Sequence, residues 1–252
     1  RSSRGTVLVI DQDFPEPDRD AGSRAIASFI GLIQDCGHPV TVWVASTSPS
    51  ERGRRHLVEK GVHCVARSET GGLDDWLAQS NTTPIFACVL SRPFVAAMHL
   101  PTVRKHFNGT CLYYGHDIHH RRLQAMRRTS RLTARARWEL WVLRRVEQRL
   151  WRDVDVILYP STEEANHVRQ WLDERRMSAI VEAFPLWTFK PVSVDIAPPD
   201  GRSGLLFVGS IAHAPNVDGL DWFIGDVMPM LEPLGGAARL RIVGSGMEAY
   251  VL

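Results

Sequence analysis

Gly115-His116-Asp117-Ile118-His119-His120 is the most chemically loaded stretch of the chain, with three imidazoles and a carboxylate close together. Neutral imidazole can accept or donate a proton near pH 7, and it also ligates metals. A metal would need partners elsewhere, and no convincing set accompanies His116, His119 and His120. A substrate-facing His116, with Asp117 orienting it, ranks above a metal site; structural hydrogen bonding is the other reading. A second candidate is Asp18-Arg19-Asp20-Ala21-Gly22-Ser23-Arg24. Gly22 and Ser23 open a helix there, and free helix N–H groups can hold an anion or a sugar hydroxyl. The plainer reading is that they only start the helix, with Ser23 as its cap. A third candidate is Gly209-Ser210-Ile211-Ala212-His213-Ala214-Pro215-Asn216. Gly209 lets a ligand approach the backbone, and Asn216 can cap the next helix. Gly244-Ser245-Gly246 repeats the pattern. There is no G-x-G-x-x-G, so the nicotinamide-binding fingerprint is missing.

The elements that must position these residues alternate between strand and helix. Thr6–Ile10, Val40–Val44, Ile85–Leu90 and Cys111–Tyr114 are apolar runs of buried-strand length. A further strand is expected near Val62–Val65, another over Val154–Tyr159 and another over Ile180–Phe184. Ile26, Phe29, Ile30 and Ile33 recur at helical spacing, and Gly37 stops that helix. A basic helix is expected near residues 51–60, and Pro93 opens one that ends near Phe107. A long helix over about 131–152 buries Ala136, Leu140, Leu143, Val146 and Leu150. Ser161 and Glu164 read as a capping box before Ala165, Val168 and Leu172. The fold class is therefore α/β with doubly wound parallel sheets.

Residues 1–185 form the first Rossmann-like domain in this reading. Residues 186–203, rich in Pro, Gly and Ser, form a linker. Residues 204–252 begin a second, truncated Rossmann-like domain: strand Leu205–Val208, a helix carrying Val217, Leu220, Ile224, Val227 and Leu231, then strand Leu240–Val243. Both chain ends read as cuts in a longer protein. In such folds ligands bind beyond the carboxyl ends of the strands. That rule selects the loops Asp11–Ser23, Ser91-Arg92-Pro93, Gly115–His120, Ser161-Thr162 and Gly209–Asn216.

Composition narrows the classes. The 252 residues are 44% apolar and 23% charged, as expected of a folded chain with a real core. A net charge of +2 gives no global case for nucleic acid. No apolar run approaches the roughly 20 residues of a membrane span, and no signal peptide is visible. Cys36, Cys64, Cys88 and Cys111 lack C-x-x-C spacing, so buried reduced thiols are expected, which favours the cytosol. The Arg-rich stretch 121–152, interleaved with Trp138, Trp141 and Trp151, reads first as a solvated or partner-facing helix. Contact with an anionic membrane surface or lipid-linked acceptor comes second. Nucleic acid comes last.

Three stretches together resemble a known family. They are Val7-Leu8-Val9-Ile10-Asp11 with Pro17–Arg24 and Gly37–Val42; Tyr114-Gly115-His116-Asp117; and Leu205–Ser210 with His213–Asp218 and Leu240–Gly246. The sequence resembles retaining family-4-type glycosyltransferases of the GT-B fold, the group-1 glycosyl transferases, especially those of bacterial surface-polysaccharide clusters. The resemblance implies two facing Rossmann-like domains and metal-independent transfer with no cofactor. It implies a nucleotide-diphosphate sugar as donor and a glycan or lipid-linked acceptor. By matching position, Gly22, Ser23, Gly209, Ser210, His213 and Asn216 would serve the donor. Asp18, Arg19, Arg24 and Arg92 would serve the acceptor, and His116, with Asp117, would face the reacting sugar. Family members usually carry a basic residue after the second-domain glycine; here the loop offers only His213. The family's paired glutamates would lie beyond Leu252, so residues 1–252 alone are expected to be inactive and to bind donor weakly. The rival expectation is a catalytically dead GT-B domain used for binding or assembly; a nucleotide-sugar epimerase is the third.

Overall fold

The computed structural model describes residues 5–79, 84–126, 133–186, 203–231 and 239–249. The chain divides into two compact units, Arg1–Lys190 and Pro191–Leu252. Residues 187–202, most of the expected linker, lie outside the described residues, as do 131 and 132 at the start of the expected long helix.

The first unit runs β1 (Thr6–Asp11), α1 (Ala21–Asp35), β2 (Val40–Val44), α2 (Glu51–Glu59), β3 (His63–Ala66), α3 (Arg67–Thr70), α4 (Leu73–Gln79), β4 (Ile85–Ser91), α5 (Pro93–His106), β5 (Thr110–Tyr114), α6 (His119–Met126), α7 (Ala134–Asp153), β6 (Val156–Tyr159), α8 (Thr162–Asp173) and β7 (Ile180–Ala183). All seven strands are parallel, in the order β3-β2-β1-β4-β5-β6-β7. Both faces are covered, which is why the central strands are apolar at every position rather than alternately. Val7 and Val9 pack towards Ile26, Phe29 and Ile30 of α1, together with Leu57 of α2. Leu8 and Ile10 pack on the other face, in a cluster that includes residues of α4, α5, α7 and α8.

The strand order reverses between β1 and β4. There the connections leave in opposite directions and open a crevice at the carboxyl ends of the strands. The fold thus points to the ends of β1, β4 and β5 before any side chain is considered.

Several local expectations change. α7 continues through Asp153 with Val154 as its C-cap, so β6 starts only at Val156. Cys64, Cys88 and Cys111 are buried free thiols, but Cys36 is exposed at the C-cap of α1, past the last residues that the helix turns inwards. α6 lacks an apolar stripe of its own and was not expected.

The second unit pairs β8 (Leu205–Val208) with β9 (Leu240–Val243) in parallel, with Leu205 opposite Leu240 and Val208 opposite Val243. Between them the expected single helix is α9 (Ala214–Trp222), a π-helical turn (Phe223–Val227) and α10 (Met228–Leu231).

Candidate functional site

Three strand ends and one helix start meet at the crevice of the first unit. Asp11 ends β1 and is 1% exposed. Its Oδ1 accepts from the Gln12 amide at 2.6 Å and from Arg92 Nε at 2.7 Å. Burial drives its pKa above the usual carboxylate value, although Arg92 opposes that shift. Arg92 follows β4 with φ 61° and ψ 126°, a left-handed backbone that is costly for a residue bearing a side chain. The ion pair with a buried carboxylate helps hold it there. The following Pro93 starts α5, where its missing N–H costs no helical bond.

His116 completes the cluster. Its Nε2 lies 3.2 Å from Ser91 Oγ, at the end of β4. Its ring stands over the first turn of α1: a Cβ placed on Gly22 would lie 3.3 Å from His116 Nδ1. Burial, reinforced by Arg92 and His119, pushes the His116 pKa down to about 4. The imidazole is therefore neutral at pH 7 and available as a hydrogen-bond acceptor. Gly115 is required by close approach, because a side chain there would overlap the buried Tyr159 ring.

The rest of the loop is built by Glu147, which the sequence did not assign to the site, and by Asp117, which pairs with His119 and Arg122 and, among the described residues, makes no hydrogen bond that would orient His116. Glu147, in α7, is 0% exposed and reaches the start of α6. It accepts from the His119 and His120 amides at 2.8 and 3.0 Å, and His120 Nδ1 lies 2.6 Å from Oε2. A carboxylate at a helix N-terminus satisfies otherwise unpaired N–H groups and opposes the helix dipole. Asp117 pairs with His119 Nδ1 and with Arg122, each at 2.8 Å. Despite burial, Asp117 and Glu147 raise the His119 pKa to about 9. Burial also works against ionisation of Asp117 and Glu147, yet their hydrogen bonds to His119, and to His120 for Glu147, keep both below their usual values. His119 and His120 are thus held by carboxylates that form the loop. Among the described residues no group of three or more His, Cys, Asp or Glu is placed to hold a metal.

Other assigned residues take different roles. Asp20, not Ser23, caps α1: it accepts from the Ser23 amide at 2.8 Å and from the Ser23 hydroxyl at 2.9 Å. The Ser23 hydroxyl is therefore engaged and buried, because its position is already inside the helix. Asp18 pairs with Arg52 at 3.2 Å on the surface. Arg19 pairs with Glu16 and Asp20, and Arg24 Nε donates to the Pro17 carbonyl at 3.3 Å. Of the four residues assigned to the acceptor, Arg92 alone is held in the His116 cluster. Ser161 caps α8, but only half of the capping box forms. The Glu164 carboxylate instead accepts from the Ile118 amide at 2.9 Å and from Ser161 Oγ at 2.9 Å, tying α8 to the loop after His116.

A cleft of about 500 Å³ lies beside this loop. Asp117, Arg121, Arg122, Gln124, Ser161 and Glu163 contribute its polar lining. Carboxylates, guanidiniums, an amide and a hydroxyl together offer both donors and acceptors.

In the second unit, Gly209 and Gly244 directly follow the neighbouring strands β8 and β9, and a Cβ on Gly244 would overlap the Gly209 carbonyl. Asn216 does not cap α9. His213 occupies the cap position without a side-chain bond, and Asn216 Nδ2 donates to the Ser210 carbonyl at 2.9 Å. Pro215, in the first turn, moves the helix start ahead of Asn216. Ser210 Oγ also accepts from Ser245 Oγ at 2.9 Å. Gly209, Ser210 and Asn216 therefore form one hydrogen-bonded turn, and His213 stands at its edge.

No protein-family model matches the sequence, and no curated protein matches it. Solved structures do. One is a UDP-glucosyltransferase from Polygonum tinctorium capable of glucosylating indoxyl, at 11% identity and TM-score 0.58 over 97% of this chain and 72% of that one. A second is Phytolacca americana UGT2 complexed with UDP-2-fluoro-glucose and pterostilbene, at 10% identity and TM-score 0.58 with the same coverage. A third, a UGT transferase from Siraitia grosvenorii in complex with UDP, matches at 14% identity and TM-score 0.50 over 95% of this chain and 64% of that one. The α/β architecture is that of GT-B glycosyltransferases. At these identities the likeness shows the fold.

Proposed function

We propose that the chain transfers a sugar from a nucleotide-diphosphate donor to a glycan or lipid-linked acceptor, as the GT-B fold and its UDP-binding neighbours suggest. The observation that carries the reading is a neutral, half-buried His116 at the switch point of the sheet, facing the first turn of α1. A neutral imidazole among a helix N-terminus, Arg92 and Asp11 is suited to meeting hydroxyls and a partially charged sugar. The turn of Gly209, Ser210 and Asn216 is the proposed diphosphate-facing element, and the cleft beside Asp117 suits a polyhydroxylated acceptor. Retention of configuration, metal independence and a role in surface-polysaccharide assembly rest on the sequence resemblance. No cofactor is assigned.

The proposed setting is the cytoplasm, at the inner membrane face. Among the described residues no helix is long and apolar enough to cross a membrane. α7 nevertheless turns Trp138 (63% exposed) and Trp141 (56%) outwards among Arg137, Arg144, Arg145 and Arg149. Indole and guanidinium groups on one face suit an anionic lipid surface; cosedimentation with anionic but not neutral vesicles tests this.

A ligand that binds only the folded state raises its stability, by about 2.7 kcal/mol at a hundred times its Kd. Thermal unfolding should therefore shift upwards with UDP or another nucleoside diphosphate, and with the corresponding sugar nucleotide. If none of them shifts the transition at millimolar concentration, the reading fails for this chain. A second reading, a non-catalytic binding or assembly module, is favoured by the loop Ser210–His213, which has no Lys or Arg. Donor binding without transfer by the full protein would select it.

A further inference from the structure

The buried polar groups at the switch point form a chain whose direction follows from counting protons. β1 pairs with β4 through Ile10 and Leu90, so Asp11 and Ser91 are the next residues along adjacent strands. Ser91 is also paired with Tyr114, two residues before His116. Both Asp11 and Ser91 are enclosed by protein. Asp11 Oδ1 already accepts from the Gln12 amide and from Arg92. Oδ2 is shut off from solvent and has no hydrogen-bond partner among the described residues, and the register of β1 on β4 makes the Ser91 hydroxyl its neighbour on the adjacent strand. Ser91 Oγ is also 3.2 Å from His116 Nε2. A hydroxyl has one proton to donate and lone pairs to accept with. Arg92, 2.7 Å from Oδ1, favours the ionised carboxylate against the effect of burial. If the Ser91 proton pointed to His116, the other oxygen of that buried carboxylate would be left without a donor, the costlier arrangement.

We propose that Ser91 donates to Asp11 and accepts from His116 Nε2–H, making Asp11 and Ser91 positioning residues that hold His116 in the Nε2–H tautomer with Nδ1 bare. Nδ1 then faces the first turn of α1 as an acceptor, so the ligand group it meets is a hydroxyl or another donor. That this hydroxyl belongs to a sugar rests on the function proposed above; the tautomer does not. The arrangement explains why a serine ends β4: alanine would break the chain, and a larger side chain would not fit a site with no exposure.

Long-range proton–nitrogen NMR of the ¹⁵N-labelled chain reads the tautomer directly, with His116→Gln assigning the signal. Wild type should show Nε2–H at neutral pH. Asp11→Asn should reverse it. Two donors fix the amide carbonyl at the Oδ1 position, so the amide nitrogen falls where Oδ2 was and donates to Ser91. The Ser91 proton then turns to Nε2, and Nδ1–H dominates. Ser91→Ala, the milder change should Asp11→Asn fail to fold, should move the tautomer ratio towards Nδ1–H by about tenfold, the size of one neutral hydrogen bond. Nδ1–H in wild type, or an unchanged ratio in a folded Ser91→Ala, overturns the inference. These tautomers in a chain that binds no sugar nucleotide would sustain it and remove the glycosyltransferase reading; ligand binding with the opposite tautomer would do the reverse.

Discussion

Glu147→Gln tests how the His116 loop is held. The change preserves shape and removes one charge. Wild-type Oε1 accepts from the His119 amide, while Oε2 accepts from the His120 amide and contacts its ring. A glutamine has one acceptor oxygen, so its NH2 must face at least one N–H donor in a site with 0% exposure. Hydrogen bonds to a charged group contribute about 1.5–3 kcal/mol each, and neutral ones about 0.5–1.5. Losing one, weakening the others and burying opposed donors should cost about 3–5 kcal/mol, the range for a broken buried charge pair. Most small domains have only about 5–15 kcal/mol in hand. Hydrogen exchange suits the measurement, because it reads the first unit separately from the second. The His119 and His120 amides should exchange about a hundredfold faster or more in Glu147→Gln. Amides of β8 and β9 should be unaffected. A change below about 1 kcal/mol at α6, with the variant folded, would show that Glu147 does not anchor the loop.

Two further outcomes follow from the same region. Gly115→Ala should destabilise the first unit by about 1–3 kcal/mol in urea unfolding through overpacking against Tyr159, whereas Gly31→Ala, with open space around it in mid-α1, should stabilise slightly; equal effects would remove the close-approach argument. The raised pKa of His119, about 9 against 6.5, means that its contribution is fully present below pH 6.5 and lost as pH rises through about 9. Stability should fall over that window by about 2–3 kcal/mol in wild type and much less in His119→Gln; parallel profiles would dismiss the pairing.

Much of the fold was legible because parallel strands buried on both faces appear as unbroken apolar runs, as in Val7–Ile10 and Cys88–Leu90. The position of His116 was legible for the same reason: a strand ends one residue before Gly115. Its supports were not. Asp11 and Ser91 terminate strands that are distant in sequence, and only the order β1-β4-β5 brings them together. Glu147 left a faint signal, a carboxylate four residues after Leu143 and three before Leu150 on the apolar stripe of α7, masked by the surrounding arginines. α6 was illegible because it carries no hydrophobic face, and the carboxylate that accepts from its first amides, Glu147, is distant in sequence. The caps were misplaced where two residues competed: Asp20 precedes Ser23, and Pro215 precedes Asn216.

The exposure of Cys36 has a practical consequence. Burial pushes the Cys64 and Cys111 thiols up to about 11 and raises Cys88 well above the usual thiol value, so they stay protonated and slow towards electrophiles. A maleimide dye should find Cys36 first, without mutagenesis. It would sit at the opposite end of a 15-residue helix from His116, about 22 Å along the axis. The native chain thus carries its own attachment point for a fluorescent reporter, set back from the crevice and fixed to the helix that borders it.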